Sequence, residues 1–107
     1  MHIHQFHTLT IEDAKARIDK SWNALVKKEL SEGVRIKDPE KSWHGNEMRF
    51  SFKAKKGILG VKLNGTLTVA ETSVSLECEL PALLTRLVPE DKIVAVLQPD
   101  LARALAD

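Results

Sequence analysis

The sequence predicts an α+β fold: an N-terminal strand, a long helix, an antiparallel β-meander and a C-terminal helix packed on one face of the sheet. Three successive segments alternate apolar and polar residues with a period of two, which is typical of strands with one buried face. Two further segments repeat apolar residues at helical spacing. With 107 residues the chain is long enough for one core, so we expect a single α+β domain over residues 1–107.

The N-terminal part predicts a strand followed by the long helix. Residues 3–9 have the pattern of a short strand, and Thr10 is placed to cap a helix, with Asp13 three residues later. Apolar residues at helical spacing extend this helix over roughly residues 11–32, with Gly33 as its C-cap.

The three alternating segments lie between residues 48 and 80. We expect their inward side chains to face the helices: Phe50, Phe52, Val61, Leu63, Leu67, Leu76 and Leu80. Lys55 opposite Ile58 in the first hairpin and Val69 opposite Val74 in the second would pair every inward residue with another. Gly65 would then leave a dip in the buried face, which a large side chain such as Trp22 could fill.

The remaining elements are less regular. Val34 and Ile36 indicate a brief strand that ends at residues 38–39, before a loop. Pro89 fits the start of the last helix, and Pro99 within it predicts a kink or a break near residues 97–99.

Composition limits the classes of partner. Lys plus Arg number 16 and Asp plus Glu number 15, so the net charge of +1 removes the usual case for nucleic acid or an anionic membrane surface as main partner. The longest apolar run, residues 93–97, is far short of the ~20 residues of a membrane span. One cysteine, Cys78, and an N-terminus without the pattern of a secretory signal predict a cytoplasmic location.

No pattern of catalytic residues stands out. His2, His4 and His7 could hold a metal, but His2 and His4 share one face of a strand while His7 points away. Cys78 has the parity of a buried residue, and the neighbouring glutamates point into water. We therefore expect no metal, no cofactor and no enzymatic activity.

The outward face of the meander carries charges of both signs. Arg49, Lys53, Lys55 and Lys62 lie on two strands, with Glu77 and Glu79 on the third. This pattern fits either a basic patch or cross-strand charge pairing on a wet face, and the diagonal placement of Glu79 near Lys62 favours pairing.

The order of several short motifs resembles the polyhydroxyalkanoic acid system family, small bacterial proteins often associated with polyester storage. The resemblance covers about residues 7–105. The motifs that carry it are, in order, His-x-Leu-x-Ile before the capped helix, Trp43-x-Gly45, Met48-x-Phe50-x-Phe52, Gly65-x-Leu67-x-Val69 and Glu79-Leu80-Pro81. It implies an α+β fold and a link to polyhydroxyalkanoate granules, without catalytic residues.

Two classes of function stay open. The first is a non-enzymatic module that associates with a polyhydroxyalkanoate granule or a partner protein, or with a second copy as a homo-oligomer. Its candidate apolar contact surface is the leucine-rich segment with Leu83, Leu84, Leu87 and Val88, although these leucines could equally close the core. The alternative is a carrier of small apolar ligands, or a minor enzyme, that uses a cavity between the sheet and the C-terminal helix.

Overall fold

The computed structural model describes residues 1–31 and 33–106 and confirms the α+β fold. In chain order the elements are β1 His2–Phe6, α1 Ile11–Leu25, β2 Glu29–Ser31, β3 Val34–His44, β4 Glu47–Lys56, β5 Leu59–Val69, β6 Ser73–Cys78, α2 Ala82–Leu87 and α3 Glu90–Ala104.

Within the described residues, six strands form one antiparallel sheet in the order β1-β6-β5-β4-β3-β2. Strands β2 to β6 follow one another as a meander, and β1 closes the far edge by pairing with β6. The helices α1 and α3 contact each other and cover one face, where their buried side chains join those of the strands. The opposite face is polar.

Helix α1 begins as predicted and ends earlier than predicted. The Thr10 hydroxyl accepts a hydrogen bond from the backbone N–H of Asp13 at 3.1 Å, which satisfies one of the free donors of the first turn. The helix stops at Leu25, and part of the segment assigned to it forms β2, where Leu30 is buried. Tertiary packing overrides helix propensity in this segment, because Leu30 is buried in the core when the segment forms a strand.

The predicted C-cap is also wrong. Gly33 has a φ of +76° and precedes β3 rather than closing α1, and Glu32, where the predicted helix ended, lies outside the described residues. Strand β3 is much longer than predicted and runs on to His44. Its pairing with β4 shifts register between Lys37 and Glu40, and this bulge accommodates Pro39, which has no N–H to donate to a neighbouring strand.

The two hairpins of the meander differ in how well their register was predicted. The β5–β6 register is confirmed, with Val69 opposite Val74. In the β4–β5 hairpin Lys56 lies opposite Leu59, so each residue of β4 pairs two positions further along β5 than predicted. The turn is Gly57–Ile58, and Gly57 has a φ of +61° at the first central position, as type II′ turns require. A register shift of two residues leaves every side chain on the same face of the sheet, so the predicted inward faces of β4 and β5 are confirmed.

The shifted register changes what fills the dip at Gly65. Phe50, not Met48, lies opposite Gly65, and its ring occupies the space that a side chain there would need. Trp22 packs on Phe50 instead, with ring centroids 5.4 Å apart. The glycine is therefore required by the close approach of an aromatic ring.

We predict that Gly65→Ala destabilises the fold by about 1–3 kcal/mol, because the new methyl group overpacks the core. An ideal Cβ would overlap the Phe50 ring and lie 2.8 Å from the Glu77 carbonyl oxygen. Gly60→Ala in the same strand is the matched control, since nothing lies within 4 Å of its Cβ position. Thermal melts of the two variants check this, and equal melting temperatures would contradict it.

Helix α3 runs through Pro99 from Glu90 to Ala104, so of the kink or break predicted there the break is absent. Pro99 and Ala95, whose carbonyl loses its partner there, are both exposed, so water can solvate the freed oxygen. The buried Ile93, Leu101 and Leu105 join α3 to the core.

Candidate functional site

The predicted contact segment forms α2 and the residue after it, and the structure divides its four apolar side chains. Leu84 and Val88 are completely buried, so the prediction that they form a contact surface is corrected: both belong to the core. Leu87 is half-buried and packs against the core. Leu83 is 43 % exposed and is the most accessible of the four.

Helical geometry explains this division. Leu84 and Val88 are four residues apart, and the Val88 N–H donates to the Leu84 carbonyl at 2.7 Å, so both lie on the inner side of a single turn and a half. Leu83 lies one residue before Leu84, about 100° around the helix. Leu83 with Leu87 and Leu84 with Val88 are equally apolar pairs at helical spacing, so the sequence gives no signal to choose between them.

A second exposed apolar site lies at the turn of the β4–β5 hairpin. Ile58 is 97 % exposed and Leu59 is 44 % exposed. The exposure of this pair was not predicted, because the expected register put Ile58 in the strand opposite Lys55 and the turn one residue earlier. The available signal was the Gly57–Ile58 dipeptide itself, since a central residue of a two-residue turn points away from the sheet.

Cations lie at this turn and along the strands that lead to it, most of them on the outer face of the sheet. The predicted outward direction of Arg49, Lys53, Lys55 and Lys62 is confirmed. Within the described residues, the predicted partner Glu79 is not in ion-pair contact with Lys62, whereas Lys53 lies 3.7 Å from Asp38. We call Ile58 and Leu59 the hairpin tip, and its neighbouring cations the basic cluster: Arg35, Lys37, Lys53, Lys55, Lys56 and Lys62.

The outer face also holds an open groove of about 1200 Å³. Polar side chains line most of it, among them Arg49, Ser51, Asn64, Thr66 and Glu77. Arg49 donates to Glu47 at 3.0 Å, and His2 lies 4.0 Å from Glu77. Such an open surface differs from the enclosed pockets that hold small ligands.

A small cavity of about 60 Å³ lies between the sheet and the helices, where the alternative function requires one. Its lining is apolar except at the edge, where Ser21 and Asp100 contribute. Asp100 is also held by Lys28, 3.3 Å away, and by Arg103. Sites for small molecules usually enclose about 300–1,000 Å³, so this cavity is too small for a ligand of that class.

The N-terminal histidines do not converge. His7 is buried, and its Nδ1 accepts from the Leu9 N–H at 3.1 Å while its Nε2 donates to the Ala70 carbonyl at 2.9 Å. His2 and His4 are exposed on the outer face. Among the residues that the structure describes, no three His, Cys, Asp or Glu side chains are arranged to hold a metal. His7 thus has a structural role, linking the start of the chain to the β5–β6 turn.

Cys78 is buried, as its parity predicted, and its Sγ donates to the Asn64 carbonyl at 3.3 Å. Burial raises the pKa of the Cys78 thiol, so the thiolate that a nucleophile needs is disfavoured at neutral pH. Glu77 and Glu79 are exposed on either side of it. The thiol therefore acts as a small core side chain.

One partly buried carboxylate joins α1 to β3. Asp19 accepts hydrogen bonds from Lys41 and, at 2.9 Å, from Trp43 Nε1. Burial raises the pKa of Asp19, but these two donors and the charges of Lys41 and Lys15 together outweigh it and hold the pKa below its usual range. The stabilisation is therefore present above the ordinary aspartate pKa and is lost as pH falls through the folded-state value. Lys15 also lies over the Trp43 ring, 5.0 Å from its centroid.

None of the helices in the described part of the chain combines the length and the apolar character needed to cross a membrane.

Comparison with known proteins agrees with the resemblance in the motifs. A family model described as "Putative polyhydroxyalkanoic acid system protein" matches residues 1–105. No significant match was found among curated proteins or among solved structures. The family name links the protein to polyhydroxyalkanoic acid systems. Because the matched region spans nearly the whole chain, the protein belongs to the polyhydroxyalkanoic acid system family.

Proposed function

We propose that this protein is a non-enzymatic module of polyhydroxyalkanoate storage that associates with the surface of the polyester granule. Its family membership names the system, and one observation on the molecule supports association: Leu83 is 43 % exposed on a short helix whose adjacent side chain, Leu84, is fully buried. Because Leu84 fixes α2 to the core, the backbone that carries Leu83 is already ordered before any contact is made.

The contact surface that we now propose is narrower than the leucine-rich segment of the sequence analysis. Leu83 is its centre. The exposed Arg86 and the half-buried Leu87 on the same helix complete it. Leu84 and Val88 support it from below without touching the granule. We further propose that the protein acts in the bacterial cytoplasm, where a free thiol such as Cys78 stays reduced.

Co-sedimentation with purified polyhydroxyalkanoate granules tests this proposal. Leu83→Glu should weaken binding roughly tenfold, because the exposed half of a leucine is worth about 1 kcal/mol on burial and the added carboxylate opposes contact with an apolar surface. Ala95→Glu, a change at an exposed position of α3, is the matched control and should bind like wild type.

Each other outcome is informative. Wild-type protein that stays in the supernatant argues against granule association altogether. Wild-type sedimentation that Leu83→Glu leaves unchanged, with both variants folded by circular dichroism, moves the contact away from α2. Sedimentation that requires a second purified granule protein identifies a partner protein as the true contact.

A further inference from the structure

We propose that the end of the β4–β5 hairpin is an interfacial anchor for an anionic phospholipid surface. In this anchor the hairpin tip, Ile58 and Leu59, enters the apolar boundary while the basic cluster contacts the headgroups. The inference rests on exposure, charge and register at this end of the sheet, and it is independent of the polyester proposal.

The exposure of the tip is the first observation. An isoleucine with 97 % of its surface in water contributes nothing to the core, and Leu59 beside it is 44 % exposed. The turn itself does not need them, because Gly57 alone supplies the positive φ. Two adjacent aliphatic side chains at the extremity of a hairpin have the shape of a wedge that inserts to shallow depth.

The cross-strand register supplies the second observation. Lys37 lies opposite Lys53, and Lys53 lies opposite Lys62, so three lysines form a row across β3, β4 and β5. Arg35 lies opposite Lys55 in the next row. Like charges directly opposite one another destabilise a sheet, and an anionic partner would relieve that repulsion.

Carboxylates of the protein neutralise this cluster only in part, and Glu29 of β2 lies opposite Arg35. Among the described residues, Asp38 is the one carboxylate in ion-pair contact with any member, at 3.7 Å from Lys53. Both of these side chains are more than half exposed, so the pair is weak. The net charge of +1 describes the whole chain and does not reveal that cations are concentrated at this end of the sheet. For this reason composition alone argued against an anionic surface.

Strand β6 pairs with β5 only from Gly65 to Val69, so the hairpin extends beyond β6 and its end can approach a flat surface without interference from that strand. Lysine side chains reach several ångströms past their Cα atoms, so Lys55 and Lys56 beside the turn can contact headgroups while Ile58 lies deeper. Long basic side chains around an aliphatic tip fit an anionic lipid boundary better than they fit nucleic acid, for which stacking aromatics would be expected.

Vesicle co-sedimentation of the full chain tests the anchor, with vesicles of phosphatidylcholine alone or of equal parts phosphatidylcholine and phosphatidylglycerol. We expect binding to the anionic vesicles only, weakened by added salt. Ile58→Ser should reduce it roughly tenfold or more. The double variant Lys55→Gln/Lys56→Gln should reduce it by a similar factor, since each cation near such a surface strengthens binding roughly fivefold.

The matched control is Lys20→Gln/Lys27→Gln, which removes one exposed lysine in α1 and one just after it and should bind like wild type. Absence of wild-type binding to anionic vesicles overturns the proposal, as does equal loss in the control double variant. Binding that the lysine variant loses while Ile58→Ser retains it, together with equally tight binding to double-stranded DNA, would assign the cluster to polyanions and overturn the lipid anchor. Failure here leaves granule binding through Leu83 untouched, because these vesicles contain no polyester.

Discussion

Leu84→Glu is expected to unfold the protein. Leu84 is 0 % exposed and lies in the core cluster, so the substitution removes a buried leucine at a cost of about 2–5 kcal/mol. It also places a carboxyl group among apolar side chains, where ionisation costs several kcal/mol more. Since domains are stable by only about 5–15 kcal/mol, the sum approaches or exceeds the total. Loss of the far-ultraviolet dichroism and of a cooperative thermal transition would confirm it.

The neighbouring substitution is the control for this prediction. Leu83→Glu introduces the same charge one residue earlier, at a 43 % exposed position, and should cost about 1 kcal/mol or less. A Leu84→Glu variant that melts like Leu83→Glu would contradict the burial of Leu84. It would mean that Leu84 faces solvent, as the broader contact surface predicted from the sequence requires.

The sheet was predictable from the sequence because its information is local and repeated. Alternation with period two fixed which side chains of β4, β5 and β6 face the helices, and that assignment survived a two-residue error in the β4–β5 register. Parity depends on neighbouring residues alone, whereas register depends on the turn. Placing the turn at Lys56–Gly57 or at Gly57–Ile58 satisfies the same alternation, and the contact of Phe50 with Gly65 belongs to the second placement.

The errors at β2 and β3 have a different cause. Nothing between Leu25 and Gly33 breaks a helix by local chemistry, and Asp38-Pro39 reads as the end of a strand. The fold overrides both, because Leu30 completes the core from the sheet edge and the strand absorbs the proline in a bulge. The contact residues were uncertain for a related reason, since a six-residue helix has too few turns to reveal which leucine faces the core.

Trp22→Ala is expected to cause the second large loss of stability, about 3–5 kcal/mol. Trp22 is buried and its ring lies 5.4 Å from that of Phe50 and 6.4 Å from that of Phe52, so the substitution empties the centre of the contact between α1 and the sheet. For a domain of this size the melting temperature should fall by roughly 15 °C or more. Trp22→Phe is the conservative control and should retain much of the aromatic packing.

The same variant decides whether the interior can serve as a ligand site. Trp22 lines the cavity of about 60 Å³ between the sheet and the helices, so its truncation enlarges that cavity toward the size at which apolar cavities bind benzene. We expect benzene to raise the melting temperature of Trp22→Ala and to leave wild type unchanged, because only the variant has room for it. Stabilisation of wild-type protein by benzene would contradict this and would favour an apolar-ligand carrier, since the native interior would then open to a ligand larger than its resting cavity.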